Sequence, residues 1–197
     1  MALENAAEQA FAIFMREIGF PPEHSLHLRN TPHRVTKMFR EMFYGVDKEP
    51  KLTAFDIEEY VPGHVGDPGI VVVRDIPFYS ICAHHFLPFF GTAHVAYIPE
   101  RKLLGLSKFA RVVTAMAAGP QVQEDIGSQT ADYIQKILQP LAIGVVLQAT
   151  HMCMSARGVK AHGASTVTSA LRGIFFSDAR AREEMYRLIT IPHGGGF

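Results

Sequence analysis

The chain has 197 residues, 48% of them apolar and 19% charged, and nineteen cations balance nineteen anions to a net charge of zero. That length and apolar content suit one ordinary domain with a proper core, and the balance excludes a nucleic-acid binder working through bulk positive charge. No apolar run approaches the roughly 20 residues that span a bilayer, so no membrane partner is expected. The opening residues, MALENAAEQAFAIFMREIG, carry acids and lack a basic leading region, which reads as no secretory signal. Two cysteines are too few for a disulfide framework, so a reduced, cytoplasmic protein is the expectation. The low charge fraction points to buried interfaces, and so to an oligomer.

In chain order, Glu4 to Ile18 reads as a helix with Ala6, Ala10, Ile13 and Phe14 on its apolar side, ended by Gly19 and the Pro21–Pro22 pair. A second helix starts at Thr31–Pro32, with Thr31 as N-cap. It carries Val35, Met38, Phe39, Met42 and Phe43 at helical spacing, and Gly45 is its expected C-cap. Residues 46 to 68, rich in Pro and Gly, read as a connection. Short strands follow at Ile70–Ile76 and Phe78–Cys82, around Pro77, and Phe90–Ile98 alternates as a third strand. Ser107 caps a helix running to about Ala118, and Pro120 starts another to about Leu138. Ala142–Ser155 and Ser165–Phe176 read as strands, Ala179–Leu188 as a last helix, and the terminal GGGF as a tail. The pattern predicts an α+β domain, with paired antiparallel strands and helices between the pairs. An N-terminal helical region and linker is expected over 1–65 and the main domain over 66–197.

Ten histidines are many for this length, and two of them sit in Cys82-Ala83-His84-His85 at the end of a predicted strand. Cys and His are preferred zinc ligands, and Cys-x-x-His allows both side chains to reach one ion. The other cysteine is Cys153, in His151-Met152-Cys153-Met154, where a strand puts His151 and Cys153 on one face. Two cysteines and a histidine would leave a fourth position for water, the catalytic arrangement, with His84 and His151 as acid/base groups. A Cys82–Cys153 disulfide and a closed structural site using a second histidine are the competing readings. An anion-binding set accompanies these residues. Ser107, Lys108 and Arg111 open a helix, and Arg157 follows Cys153. Gln123 and Glu124 begin the next helix, and a glutamate can accept two N–H bonds from the edge of a guanine.

Six stretches together resemble the GTP cyclohydrolase I family. They are Thr31-Pro-His-Arg-Val-Thr-Lys-Met-Phe, Cys82-Ala-His-His-Phe-Leu-Pro-Phe-Phe-Gly91, Gly105-Leu-Ser-Lys-Phe-Ala-Arg111, Pro120-Gln-Val-Gln-Glu124, His151-Met-Cys-Met-Ser-Ala-Arg-Gly158 and Ser165-Thr-Val-Thr-Ser169. The resemblance implies a tunnelling fold, in which antiparallel sheet units assemble into a barrel. It implies a homodecamer of two pentamers, with active sites at subunit interfaces. The implied reaction converts GTP and water to formate and 7,8-dihydroneopterin triphosphate, the entry to folate and other pterins.

By motif position, Cys82, His85 and Cys153 would hold Zn2+, and His84 and His151 would transfer protons. Glu124, with Gln123 beside it, would hold the guanine. Ser107, Lys108, Arg111 and Arg157, joined by Arg34, would bind the triphosphate. The chemistry agrees with these roles, since zinc lowers the pKa of water toward neutrality, a histidine can protonate N7 during attack at C8, and a triphosphate needs clustered cations. Ala83 stands where the family usually has a glutamate. Two other readings are a related nitrile reductase of deazaguanine synthesis and a non-catalytic nucleotide-binding paralogue. Formate release from GTP separates the cyclohydrolase from both.

Overall fold

The structure is a computed structural model that describes residues 5–44, 46, 49–57 and 69–192. The expected start of the first helix at Glu4, the Gly45 cap, most of the connection and the GGGF tail lie outside those residues. The chain divides into two compact units, Met1–Tyr44 and Gly45–Phe197.

In the N-terminal unit, α1 spans Ala6–Glu17 and α2 spans Thr31–Met42, with one 3-10 turn at Pro22–His24 between them. The inward stripe of α1 is Glu8, Ala12 and Met15, whereas Ile13 and Phe14 are exposed. The apolar side expected from Ala6, Ala10, Ile13 and Phe14 is therefore rotated. The reason is Glu8, which a hydrophobic pattern scores as surface. Its buried carboxylate accepts from Asn5 Nδ2 at 2.9 Å and sits 3.1 Å from His33 Nδ1 of α2. Those bonds offset the desolvation of the acid. Asn5 caps α1 by accepting from the Glu8 N–H. In α2 the cap residue is Asn30 and Thr31 is already helical, one position from the expected boundary.

The second unit is α+β. A five-stranded sheet has the order β5-β2-β3-β6-β7, with β2 (Val71–Cys82), β3 (Pro88–Ile98), β6 (Ala142–His151) and β7 (Thr166–Gly173) each antiparallel to the next. The two-residue β5 (Pro120–Gln121) adds in parallel at Ile81–Cys82. A separate ladder joins β1 (Ala54–Asp56), within the expected connection, to β4 (Lys102–Leu104). The two expected runs around Pro77 are one strand, with a register shift between Val73 and Ile76. Pro77 is tolerated because β2 has a neighbour on one side only along most of its length.

Helices α3 (Leu106–Met116) and α4 (Gln123–Leu138) cover one face of the sheet, where Phe78, Phe89, Val95, Tyr97, Phe109, Val112, Ile126, Ile134 and Leu147 form the main core. On the other face a smaller cluster of Ala96, Ala142, Val146, Phe175 and Met185 seats α7 (Ala179–Thr190), which follows the single turn α6 (Ile174–Ser177). Gly144 makes this close approach possible, since a Cβ there would run into Met185 Sδ.

Further boundaries differ from the sequence reading, one being the strand expected to reach Phe176, which ends at Gly173 where the chain turns into α6. Ser107 is not a cap; Gly105 precedes α3 and no side chain caps it. Pro120 does not begin a helix, because β5 completes the end of β2 and Val122 is extended before α4 starts. The strand expected to reach Ser155 ends at His151 and turns into α5 (Met152–Ser155). His151 pairs with Phe89, next to the first residue of β3, so the ladder has no partner further on.

Candidate metal centre and its surroundings

One end of the sheet gathers the chemistry. Cys82 closes β2, and a tight turn returns the chain to β3, with Cys82 N–H bonded to Leu87 O at 2.8 Å and Phe86 N–H to Cys82 O at 2.9 Å. Phe86 takes a φ of 53° to make that turn. Ala83, exposed, donates its N–H to Gln121 O of β5 at 3.0 Å. Beside this turn, β6 ends at His151 and α5 presents Cys153. Cys153 therefore reaches the site from a helical turn, not from the same strand face as His151.

The structure brings Cys82, His85 and Cys153 together, with one ligand atom from each lying within 4.8 Å of the other two. Both thiols are free, so the disulfide reading does not describe this arrangement. Bond lengths of about 2.3 Å to sulfur and 2.0 Å to nitrogen place tetrahedral ligand atoms roughly 3.5–4 Å apart. The trio fits one metal ion with small movements, and two sulfurs with one imidazole suit a borderline-soft divalent metal. Burial pushes the Cys153 thiol up, and the Cys82 sulfur adds to this, while the positive charge of Arg157 works the other way. Coordination would reverse that balance, because a bound metal favours the thiolate.

His85 is exposed, and its Nε2 lies 2.9 Å from Arg157 Nη1. A guanidinium keeps its protons, so Arg157 donates and His85 Nε2 holds the lone pair. His84 is exposed as well, with Nδ1 3.8 Å from Cys82 Sγ.

His151 is held more firmly. Its ring stacks on Phe89 with centroids 4.5 Å apart and planes 6° from parallel. Its Nε2 lies 2.8 Å from Gln123 Oε1. Gln123 is buried, and its amide nitrogen donates to Leu147 O, Thr166 O and Thr168 Oγ1, each at 3.1 Å. Two of those partners are carbonyls that can only accept, which fixes the amide orientation. Oε1 then faces His151, so Nε2 of that imidazole carries a proton and Nδ1 remains as the basic nitrogen. Burial pushes the His151 pKa down, opposed in part by the Glu124 carboxylate. Gln123, expected beside the substrate, thus has its whole amide engaged inside the protein. Phe89 was not singled out by sequence, although it lies directly opposite His151 in the β3–β6 register.

Glu124 is exposed on the next residue of α4 and lines a cavity of about 380 Å3 between α4 and β7, with Ser128, Thr168, Ser169 and Arg172 among its walls. Ser107 and Lys108 open α3 toward the end of the sheet away from Cys82. Ser107 and Arg111 are exposed on α3, and Lys108 is half-buried. Helix α3 begins beside Leu104, whose N–H reaches Tyr97 OH at 3.5 Å, and Tyr97 pairs with Val71 at the far end of β2 from Cys82. Among the described residues, Lys108, Arg111 and Arg157 make no ion pair with an acid. Arg34 is exposed on α2 in the other unit. No helix among the described residues is long and apolar enough to cross a membrane.

Comparison with known proteins agrees with the motifs. Residues 7–190 match the GTP cyclohydrolase I family. Similar proteins named GTP cyclohydrolase 1 include one from Hydrogenobaculum sp. (strain Y04AAS1), 50% identical over 162 residues, covering 82% of this chain and 85% of the relative. Another, from Aquifex aeolicus (strain VF5), is 46% identical over 182 residues, 92% of this chain and 94% of the relative. A third, from Geobacillus kaustophilus (strain HTA426), is 48% identical over 186 residues with the same coverage of 92% and 94%. Among solved structures, the apo archaeosine synthase QueF-Like matches with a TM-score of 0.46 and 16% identity, over 55% of this chain and 97% of that one. Near-complete coverage at about half identity leaves one assignment: the chain belongs to the GTP cyclohydrolase I family and is a hydrolase of that class.

Proposed function

We propose that the protein carries out the zinc-dependent hydrolysis and rearrangement of GTP to formate and 7,8-dihydroneopterin triphosphate, in the cytoplasm. The observation that carries this is the Cys82, His85 and Cys153 trio with the oriented His151 beside it. Zinc in that trio supplies the Lewis acidity that makes water a nucleophile near neutral pH. His151 offers Nδ1 as its proton-transfer atom, since Nε2 is tied to Gln123. The same nitrogen can take a proton from the attacking water and pass it to N7 of the purine as C8 is attacked. Gln123 acts as a positioning residue, holding the ring and its tautomer. His84, exposed on the turn, is free to shuttle protons during the later sugar rearrangement.

Glu124, which lines the cavity beside α4, accepts the N–H groups of the guanine edge in this reading. Ser107, Lys108, Arg111, Arg157 and Arg34 take the triphosphate. Cys82 and the Ser107–Lys108 start of α3 lie toward opposite ends of the sheet. The separation of those groups supports a site completed by a second copy, and so the homodecamer of two pentamers with a closed barrel of sheets. The open edge of β7 and the mostly open edge of β2 suit that closure.

The test is turnover of GTP by zinc-loaded, reduced protein, following formate and the fluorescent pterin formed on oxidation. Equal amounts of both support the full reaction, despite Ala83 in place of a glutamate. Formate alone limits the protein to ring hydrolysis. Neither product, with zinc bound, overturns the reading in favour of a binding role.

A further inference from the structure

We propose that Arg157 and the metal ion compete for a single lone pair on His85, so that metal loading transfers the Arg157 guanidinium from His85 to the anionic end of the nucleotide. The inference rests on the metal reading of Cys82, His85 and Cys153 given above.

The exclusion follows from counting lone pairs. Arg157 Nη1 lies 2.9 Å from His85 Nε2. Arginine is always protonated, so it donates, and Nε2 must accept. A neutral imidazole has one ring nitrogen with a lone pair and one with a hydrogen. If the metal binds Nε2, it takes the lone pair that Arg157 uses. If it binds Nδ1, the hydrogen must move to Nε2, where it would face the Arg157 donor. In either case the coordination bond forms and the hydrogen bond breaks, with no net loss of a proton from the ring. A cation 2.9 Å from the ligand ring also opposes a second cation there.

Arg157 is exposed and makes no ion pair among the described residues. It stands four residues from Cys153, at the same end of the sheet as the trio. A triphosphate oxygen is the natural acceptor for a planar donor pair in that position. Binding is reciprocal, so metal raises anion affinity through Arg157, and the anion raises metal affinity by the same factor. The positive charge of Arg157 also favours the Cys153 thiolate, which works against the competition. The net sign of the Arg157 effect is therefore informative.

The experiment measures zinc affinity of the reduced protein by competition with a chromophoric chelator, in wild type and in Arg157→Met. The variant keeps the aliphatic stem and removes donors and charge. It is expected to bind zinc about 10-fold or more tightly, the worth of one charge-assisted hydrogen bond. A parallel titration uses 7-deaza-GTP, which has carbon in place of N7 and so no five-membered-ring amidine to hydrolyse at C8. Zinc is expected to strengthen its binding by a larger factor in wild type than in Arg157→Met, and comparing the two cancels any direct metal contact. Arg157→Ala gives the same gain and serves if the Met variant does not fold. Unchanged or weaker zinc binding by the variant, or an equal zinc effect on 7-deaza-GTP, overturns the competition. If wild type still holds one zinc that Cys153→Ala loses, the metal reading survives that failure. If wild type holds no zinc, both fall together.

Discussion

Gln123 and His151 form a fixed pair: the buried amide of one holds the imidazole of the other at 2.8 Å, and three acceptors on the amide nitrogen decide which ring nitrogen is protonated. The pair joins the first residue of α4 to the last residue of β6. Helix and sheet must therefore be packed before the proton-transfer group has a defined tautomer.

Replacing Gln123 with Ala removes the donor to the buried Leu147 carbonyl and the part-buried Thr166 carbonyl, and the acceptor for His151. Stability is expected to fall by about 1–3 kcal/mol. Formate release is expected to slow by roughly 10- to 100-fold, mostly in kcat, because proton transfer loses its oriented group. Thermal unfolding and steady-state kinetics check both. Unchanged kcat with lowered stability would leave Gln123 a purely structural role.

Phe89 is fully buried and is the platform for the His151 ring. Phe89→Leu keeps an apolar residue but loses the flat surface, and is expected to cost about 1–2 kcal/mol in stability. A larger relative loss in kcat than in KM is expected from looser placement of His151.

Cys153→Ala is expected to abolish zinc binding and turnover together, since two ligands cannot hold the ion as three do. Chelator treatment of the wild type should stop formate release, and zinc should restore it. Elemental analysis of purified protein gives the stoichiometry. A Cys153→Ala protein with full zinc and full activity would remove this residue from the site.

Stability should depend on pH through His94, far from the metal trio. Its Nδ1 accepts the Asp75 N–H at 3.2 Å, where Asp75 takes a φ of 56° at the β2 irregularity. Burial pushes the His94 pKa down, with Asp75 opposing and Arg74 adding to the shift. The folded state thus favours the neutral ring. Full stability is expected above the unfolded value near 6.5, and it falls as pH drops through the lower folded value. His94→Asn, whose amide oxygen can accept the same N–H, is expected to flatten Tm between pH 7.5 and 5. An unchanged slope in that variant would exclude His94 as its source.

Much of the fold was legible in the residues themselves. The long strands around Val95 and Val145, the helix ending at Leu138 and the helix from Ala179 follow from apolar spacing and from local breakers. The errors lie where a distant partner decides a local choice. Glu8 is buried because His33 and Asn5 bond to it. Pro120 extends a strand because the end of β2 accepts it as a neighbour. The strand through His151 stops because β3 begins one residue before its partner Phe89. None of these partners is visible in a local window.

The chemistry divides in the same way. Sequence alone determined the kinds of donor, two thiols among clustered histidines, and the family to which their spacing belongs, because residue type and motif order are properties of the chain as written. Only the tertiary structure decided that Cys82, His85 and Cys153 meet, that Gln123 faces His151 instead of solvent, and that Ser107 and Lys108 lie at the other end of the sheet. Each of these depends on strand register and on the direction in which a helix crosses the sheet. Those are set by packing between residues far apart in sequence.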